Sequence, residues 1–354
     1  MNTTGKLLKI TTFWESHWNA LWVVIDWFPS NFLVDFDYIK FELSRRKPGQ
    51  SEITTQRKEN DEDFEVLSGI FEWKTTGHPI TIIVKNQNQK SKDYDNIKNL
   101  YRPNHADLTY DLKYKIRDYR WWWRSSWRET LSRVIAWALA KQYLQEKLGI
   151  KIFAYTKQVW DFVAKNIDFT YIEKNILRTA DKNEFENMID YINNIRADWN
   201  SVWWIIECSW INIPIWLWEP VFWKIKSKLA SSMLSIPWIL WFEYGAWFWT
   251  TKVTWITYNE WFINKDWKIQ SKSNNYWWIL GGITTWENLI FRVAVKPTWS
   301  IYCKQKTVDK NWNSVDFQIT GRHDPCILPR VVPVIESMAA LDILDLYLIH
   351  NSKK

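Results

Sequence analysis

The sequence predicts an α+β fold in a single large domain covering residues 1–354. Short apolar or alternating runs read as strands, while longer stretches carry apolar residues at helical spacing. The two kinds of element mix without the regular βαβ alternation of a doubly wound sheet. No repeat of about 20–50 residues recurs and no low-complexity linker divides the chain, which leaves one unit.

Val23-Val24-Ile25 reads as an early strand. A helix is expected from Asp35 to Arg45 and Arg46, whose charges suit a helix C-terminus. Thr81-Ile82-Ile83-Val84 reads as the next strand. Ser126, followed three residues later by Glu129, forms a capping-box pattern. It opens the clearest helix, residues 128–148, with Leu131, Val134, Ile135, Ala138, Leu139 and Leu144 on one face. Arg124, Ser125 and Ser126 then stand at a helix N-terminus suited to anions. Residues 160–200 are polar, show helical spacing at Phe185, Met188, Tyr191 and Ile192, and contain no chemical constellation, so a peripheral insertion is expected. A further helix is expected to start near Pro220 and carry Phe222, Ile225, Leu229 and Met233. Arg292-Val293-Ala294-Val295 reads as a strand. The last helix is expected from Pro333, a good first-turn residue, through Met338, Leu341 and Leu344 towards Leu348, with a tail at 350–354.

A formal charge of +7 suits anionic partners, but the cations are scattered through both halves. That favours a small polyanionic ligand over nucleic acid. Cys208, Cys303 and Cys326 have neither disulfide-framework nor zinc-ligand spacing, so a reducing compartment and no metal are expected. The N-terminus lacks the basic-then-apolar layout of a secretory leader, and no stretch offers about 18 uninterrupted apolar residues. A cytoplasmic protein with no membrane partner is expected.

Tryptophan is anomalous. The chain has 30 Trp and 9 Gly, where an average glycine content of about 7% would give about 25 glycines. Asp118-Tyr119-Arg120-Trp121-Trp122-Trp123-Arg124-Ser125-Ser126 sets three rings in succession between arginines and hydroxyls. Packing does not call for that, whereas three glycines would form a loop that approaches a phosphate closely and adopts positive φ. The same replacement makes sense of Phe13-Trp14-Glu15-Ser16-His17-Trp18 and of Tyr276-Trp277-Trp278-Ile279-Leu280-Gly281-Gly282. The reading is a UGA codon that stands for glycine and is written as Trp. Extra bulk in a packed site costs about 1–3 kcal/mol, so about ten such replacements would exceed the roughly 5–15 kcal/mol net stability of a domain.

With glycine restored there, the chain resembles the chorismate synthase family over nearly its whole length. Thr11-Thr12-Phe13-Trp14-Glu15-Ser16-His17-Trp18 looks like the family's opening signature. Arg45-Arg46-Lys47-Pro48-Gly49, Arg102-Pro103-Asn104-His105-Ala106-Asp107 and residues 120–130 follow in the family's order. After them come Glu219-Pro220-Val221-Phe222, Lys296-Pro297-Thr298-Trp299-Ser300 and Gly321-Arg322-His323-Asp324-Pro325-Cys326. The resemblance implies a β-α-β sandwich with helices between antiparallel sheets, and a homotetramer with flavin sites built largely within each protomer. It implies a lyase that removes the 3-phosphate and a C6 hydrogen from 5-enolpyruvylshikimate-3-phosphate by anti-1,4-elimination. Reduced FMN is required without net redox change, and the product, chorismate, closes the common shikimate pathway to aromatic amino acids.

Such a substrate carries two carboxylates and a phosphate, for which arginine forks are better matched than lysine point charges. Arg45, Arg46, Arg124 and Arg322 are the candidates, and Arg46 is also associated with the nicotinamide cofactor. By resemblance, His17 protonates the departing phosphate with Ser16 as relay. His105 protonates the anionic reduced flavin with Ser126 as its relay, and Asp324 sits beside flavin N5. FMN is expected against Arg124, Ser125, Ser126, Pro237, Trp238, Gly281, Lys296, Pro297, Thr298, Trp299, Ser300 and Arg322. Asn104 stands where glycine is usual and tolerates positive φ. Glu52 replaces a basic residue associated with nicotinamide binding, so a separate flavin reductase system is expected, with NADPH only an indirect reductant.

His78, His350 and Cys326 read as structural. Two other classes compete: a catalytically dead flavoprotein whose tryptophans block the phosphate sites, and an aromatic-rich single-strand binder. Molecular mass separates the first from the lyase, and salt-dependent strand binding separates the second.

Overall fold

A computed structural model describes residues 2–13, 19–51, 53–54, 60–86, 98–117, 124–198, 200–259, 261–265, 268–272, 279–285, 287–298, 304–318 and 326–353. Two five-stranded antiparallel sheets enclose a layer of helices. The first runs, in spatial order, Thr3–Thr4, Lys9–Thr12, Ala20–Asp26, Ile80–Lys85, Phe64–Ser68. Leu21, Val23 and Ile25 alternate into the core from its central strand, as a period of two requires. The second runs Ile239–Tyr244, Leu289–Val295, Trp204–Ile211, Lys151–Val159, Phe162–Val163. There Cys208 lies between Phe291 on one neighbour and Ala154 on the other.

Helix α1 (Phe36–Arg46) starts at Asp35, whose carboxylate accepts the Tyr38 N–H at 3.0 Å. Helix α2 spans Asp107–Tyr114 and α3 spans Thr130–Leu148, closing at Gly149 with φ +65°. Helices α4 (Phe185–Ala197), α5 (Ile225–Leu234) and the single turn α6 (Trp255–Tyr258) lead to α7 (Leu328–Asn351). α3 packs on the first sheet and α7 on the second, and the two helices pack on each other. The predicted α+β class and the sheet-helix-sheet layering are thereby realised. Among the described residues no helix is long and apolar enough to cross a membrane.

Three predicted boundaries shift. α7 begins at Leu328, so Pro333 lies inside it rather than at its start. A proline there cannot donate to the carbonyl four residues back; the Pro329 carbonyl accepts an N–H from the Arg178 guanidinium instead. α5 begins at Ile225, not near Pro220, and Phe222 is exposed. The preceding backbone is spent on other bonds, from Glu219 N–H to the Trp223 carbonyl and from Ile225 N–H to the Gly282 carbonyl. Ser126 does cap its helix, accepting the Arg128 N–H at 3.2 Å, but a 3-10 turn, Trp127–Glu129, intervenes before α3. Glu129 does not close the box, because its carboxylate accepts from the Thr12 hydroxyl at 2.8 Å and pairs with Arg133 at 2.6 Å.

Backbone angles bear on the tryptophans directly. Trp27, Trp73, Trp160, Trp218, Trp238 and Trp312 all have φ between 53 and 86°. Asparagine, which tolerates that region best among residues with a Cβ, supplies Asn31, Asn104 and Asn212 among the described residues. Glu72 and Trp73 are the central pair of the hairpin joining Ile70–Phe71 to Lys74–Thr75, both with positive φ, a turn that favours Asn-Gly. Trp160 is the first central residue between paired Val159 and Phe162, the glycine place of a type II′ turn. Pro237 and Trp238 are central to a turn closed by the Ile239 N–H on the Ile236 carbonyl at 3.2 Å, where Pro-Gly is preferred. In addition, the indole N–H groups of Trp127, Trp137, Trp204 and Trp218 are buried without an acceptor among the described residues, each at a cost of about 1–3 kcal/mol.

Candidate active site

Residues 102–107 form a tight turn into α2. Asn104 takes φ +55°, the left-handed conformation for which asparagine suffices, and His105 N–H donates to the Arg102 carbonyl at 3.2 Å. Arg102 grips Asp107 as a fork: Nε donates to Oδ2 at 2.6 Å and Nη2 to Oδ1 at 2.7 Å. Arg117 approaches the same carboxylate at 3.4 Å. Burial would raise the Asp107 pKa, but the hydrogen bonds from Arg102 and His105 hold it far below the usual carboxylate range. His105 Nδ1 lies 3.0 Å from Asp107 Oδ1 and 3.0 Å from Arg102 Nη2. Burial pushes the imidazole pKa down; Asp107 opposes this, and Arg102 and Lys296 add to it.

Three further segments close on this turn. Lys296 Nζ donates to the Asn104 carbonyl at 3.4 Å, and its backbone N–H donates to the Trp238 carbonyl at 2.9 Å. Burial lowers the Lys296 pKa. The Trp238 ring meets Trp127 edge-on at 6.4 Å, next to Ser126 at the start of the α3 segment. Thus His105, Lys296, Trp238 and Ser126, each expected separately from the sequence, occupy one neighbourhood. The Thr298 hydroxyl is buried and has no partner among the described residues. A buried orphan of this kind fits a place that receives a polar ligand. Ser125 and Pro297 adjoin the same segments, whereas Gly281, with φ +60°, lies in the hairpin beside the start of α5, and no described contact ties it to His105.

The arginines separate. Arg124 Nη2 donates to the Thr12 hydroxyl at 2.7 Å and Nε to the Asn2 side chain at 3.2 Å, so its part-exposed guanidinium borders the strand leading into residues 14–18. Arg45 pairs with Glu336 at 2.6 Å, Glu42 at 2.7 Å and Glu173 at 2.7 Å in a buried cluster that includes Lys141. Arg46, 1% exposed, pairs with Asp61 at 2.8 Å and donates to Thr130 and to the Trp127 carbonyl. These partners turn both guanidinium groups into the helical layer. Ser16, His17, Glu52, Trp299, Ser300, Arg322 and Asp324 lie outside the described residues.

Sequence reasoning singled out His105 from its motif and passed over Arg102 and Asp107. The available signal was the flanking of one histidine, within six residues, by an arginine and by an aspartate at a helix start.

The fold and this cation-lined histidine-carboxylate neighbourhood define an enzyme of a layered sheet-helix-sheet type. The family model for chorismate synthase matches residues 8–348. The chain is 46% identical over 353 residues to a chorismate synthase of Azobacteroides pseudotrichonymphae genomovar. CFP2, covering 98% of this chain and 99% of that one. It is 45% identical to a chorismate synthase of Phocaeicola vulgatus, covering 99% of each chain. A crystal structure of chorismate synthase superposes with a TM-score of 0.76 at 24% identity, covering 98% of this chain and 93% of that one, which is a likeness of fold. The chain belongs to the chorismate synthase family, a family of lyases.

Proposed function

We propose that this chain converts 5-enolpyruvylshikimate-3-phosphate to chorismate and phosphate with reduced FMN. The observation that carries the reading is the convergence of the His105 turn, Lys296, the turn at Trp238 and the Ser126 helix start. Reduced FMN, when bound, supplies the electron density that assists loss of the allylic phosphate. Arg124, Ser125 and Ser126 hold anionic groups at the helix start, Thr298 offers its orphan hydroxyl, and Lys296 faces the same space with a partly desolvated amine. His105 holds a proton for the cofactor side, and His17, with Ser16, delivers one to the leaving phosphate. Arg322 and Asp324 complete the set by family correspondence.

Arg45 and Arg46 enter this proposal through the floor they brace, Arg46 by its bonds to the Trp127 carbonyl and Thr130 next to the Ser126 cap. The physiological protein is a cytoplasmic homotetramer, supplied with reduced flavin by a separate reductase, with NADPH upstream and no nucleic-acid or membrane partner.

The same proposal includes glycine wherever left-handed backbone now carries an indole, and throughout positions 121–123. Among the described residues, the six positive-φ tryptophans and the four buried, unpaired indole N–H groups support it. At Trp238, glycine would also remove a ring from the wall between Lys296 and Ser126.

The test is an anaerobic assay with His17→Ala and His105→Ala, each read for chorismate. Both are expected to lose turnover by about 10²-fold or more. Near-normal turnover in either variant removes that histidine from the mechanism.

A further inference from the structure

We infer that Asp107 is a positioning residue for His105, accepting its Nδ1–H so that Nε2 is the nitrogen that gains and loses the working proton. The inference rests on the proposed proton-holding role of His105 and adds the device that sets its tautomer.

The geometry poses a choice. Nδ1 is equidistant from an acceptor, Asp107 Oδ1, and a donor, Arg102 Nη2. If Nδ1 were bare it would accept from Arg102, and the neutral ring would carry its proton on Nε2. If Nδ1 carries the proton it donates to Asp107. The carboxylate cannot itself be a donor, because the Arg102 fork, at 2.6 and 2.7 Å, holds it ionised. Arg102 gives Asp107 its Nε–H, one N–H of Nη2 and its backbone N–H, at 2.6, 2.7 and 3.2 Å, and the second N–H of Nη2 is the donor that a bare Nδ1 would accept.

A proton carrier must pass through the imidazolium, in which Nδ1–H has to face an acceptor. Only Asp107 offers one on that side among the described residues. With Nδ1–H already on Asp107, the ring takes up and releases its second proton at Nε2 with no rearrangement, the logic by which a buried aspartate orients a catalytic histidine. Among the described residues, the charged groups facing the ring are Arg102 from its own turn, Asp107 from α2 and Lys296 from the end of strand Leu289–Val295, with Arg117 behind Asp107. Two cations and one anion about the imidazole make the carboxylate decisive for both tautomer and proton affinity.

The experiment uses the full chain, free of FMN, with its five histidines labelled with ¹⁵N; a His105→Ala sample assigns the signals of His105. Neutral His105 is expected to show a protonated Nδ1 and a bare Nε2. Asp107→Asn, which keeps shape but loses charge, is expected to move the proton to Nε2 and lower the His105 pKa further. Arg102→Gln is expected to raise that pKa while Nδ1 stays protonated. A purely structural role for these residues would not shift the pKa in opposite directions. An Nε2-protonated ring in the unaltered protein overturns the inference, as does an Asp107→Asn protein with unchanged tautomer and pKa. If Asp107→Asn fails to fold, the unaltered tautomer and the Arg102→Gln shift still decide. In the assay, Asp107→Asn is expected to lower kcat by about 10²-fold with KM for the substrate held. Loss in His105→Ala without loss in Asp107→Asn defeats the inference alone, whereas normal turnover in His105→Ala defeats the proton-holding role.

Discussion

The guanidinium of Arg178 donates to the carbonyl of Pro329, the acceptor that Pro333 leaves without a helical partner. The same Nη1 reaches the Arg45 carbonyl at 3.1 Å, and Nε pairs with Glu173 at 3.3 Å. The polar segment 160–200 is thereby fastened to α1 and α7 at the point where α7 is weakest. Arg178→Met is expected to lower stability by about 2–4 kcal/mol, since it orphans buried carbonyls. Equilibrium urea unfolding measures this, and a change within error would mean that water replaces the guanidinium.

Glu336 contributes to the acid limit. Burial would raise its pKa, but Arg45 and Lys141 bring it down from 4.5 to about 2. A depressed carboxylate adds stability above its unfolded pKa and loses it as pH falls through the folded value. Stability is therefore expected to drop between about pH 4.5 and about 2. Glu336→Gln should flatten that limb and lower stability at neutral pH, because among the described residues Arg45 is then left with Glu42 and Glu173, and Lys141 with Glu42.

Asp342 acts in the opposite direction. Burial raises its pKa from 3.8 to about 7, against the pull of Lys228 and the Ser232 hydroxyl. The folded chain then holds a proton that the unfolded chain releases, so stability falls as pH rises from about 3.8 to about 7. Asp342→Asn should exceed the unaltered protein in stability at pH 8 and lose this slope. Parallel urea midpoints that track each other across pH would contradict the assignment.

Trp312 isolates the backbone argument. It is 70% exposed, has φ 67°, and donates its N–H to the Asp309 carbonyl at 3.1 Å. Trp312→Gly is expected to raise stability by about 1 kcal/mol, while Trp312→Ala, which keeps a Cβ, gains little. Equal gains from both would point to the indole and not to φ.

Much of this was readable in the chain. Val23 to Ile25, Ile82 to Val84 and Arg292 to Val295 announced their strands by apolar content, and Asp35 marked α1, because these signals are local. The start of α7 was not, since Pro333 resembles a first-turn residue until Arg178, distant in sequence, is seen to complete the helix. Glu129 looked like half of a capping box because nothing local reveals that Thr12 and Arg133 claim its carboxylate. Arg45 and Arg46 carried the charge expected of anion clamps, and only tertiary packing brings Glu336 and Asp61 against them. His105, Ser126 and Lys296 stand in separate motifs and Trp238 outside them, and the fold supplies their proximity.

The most direct measurement compares two purified forms under anaerobic conditions with reduced FMN and 5-enolpyruvylshikimate-3-phosphate, one with glycine at the tryptophan positions and one with tryptophan as written. Chorismate and phosphate are expected in equal amounts from the glycine form and neither from the tryptophan form. Turnover by the tryptophan form, or none by a folded glycine form, would contradict this expectation.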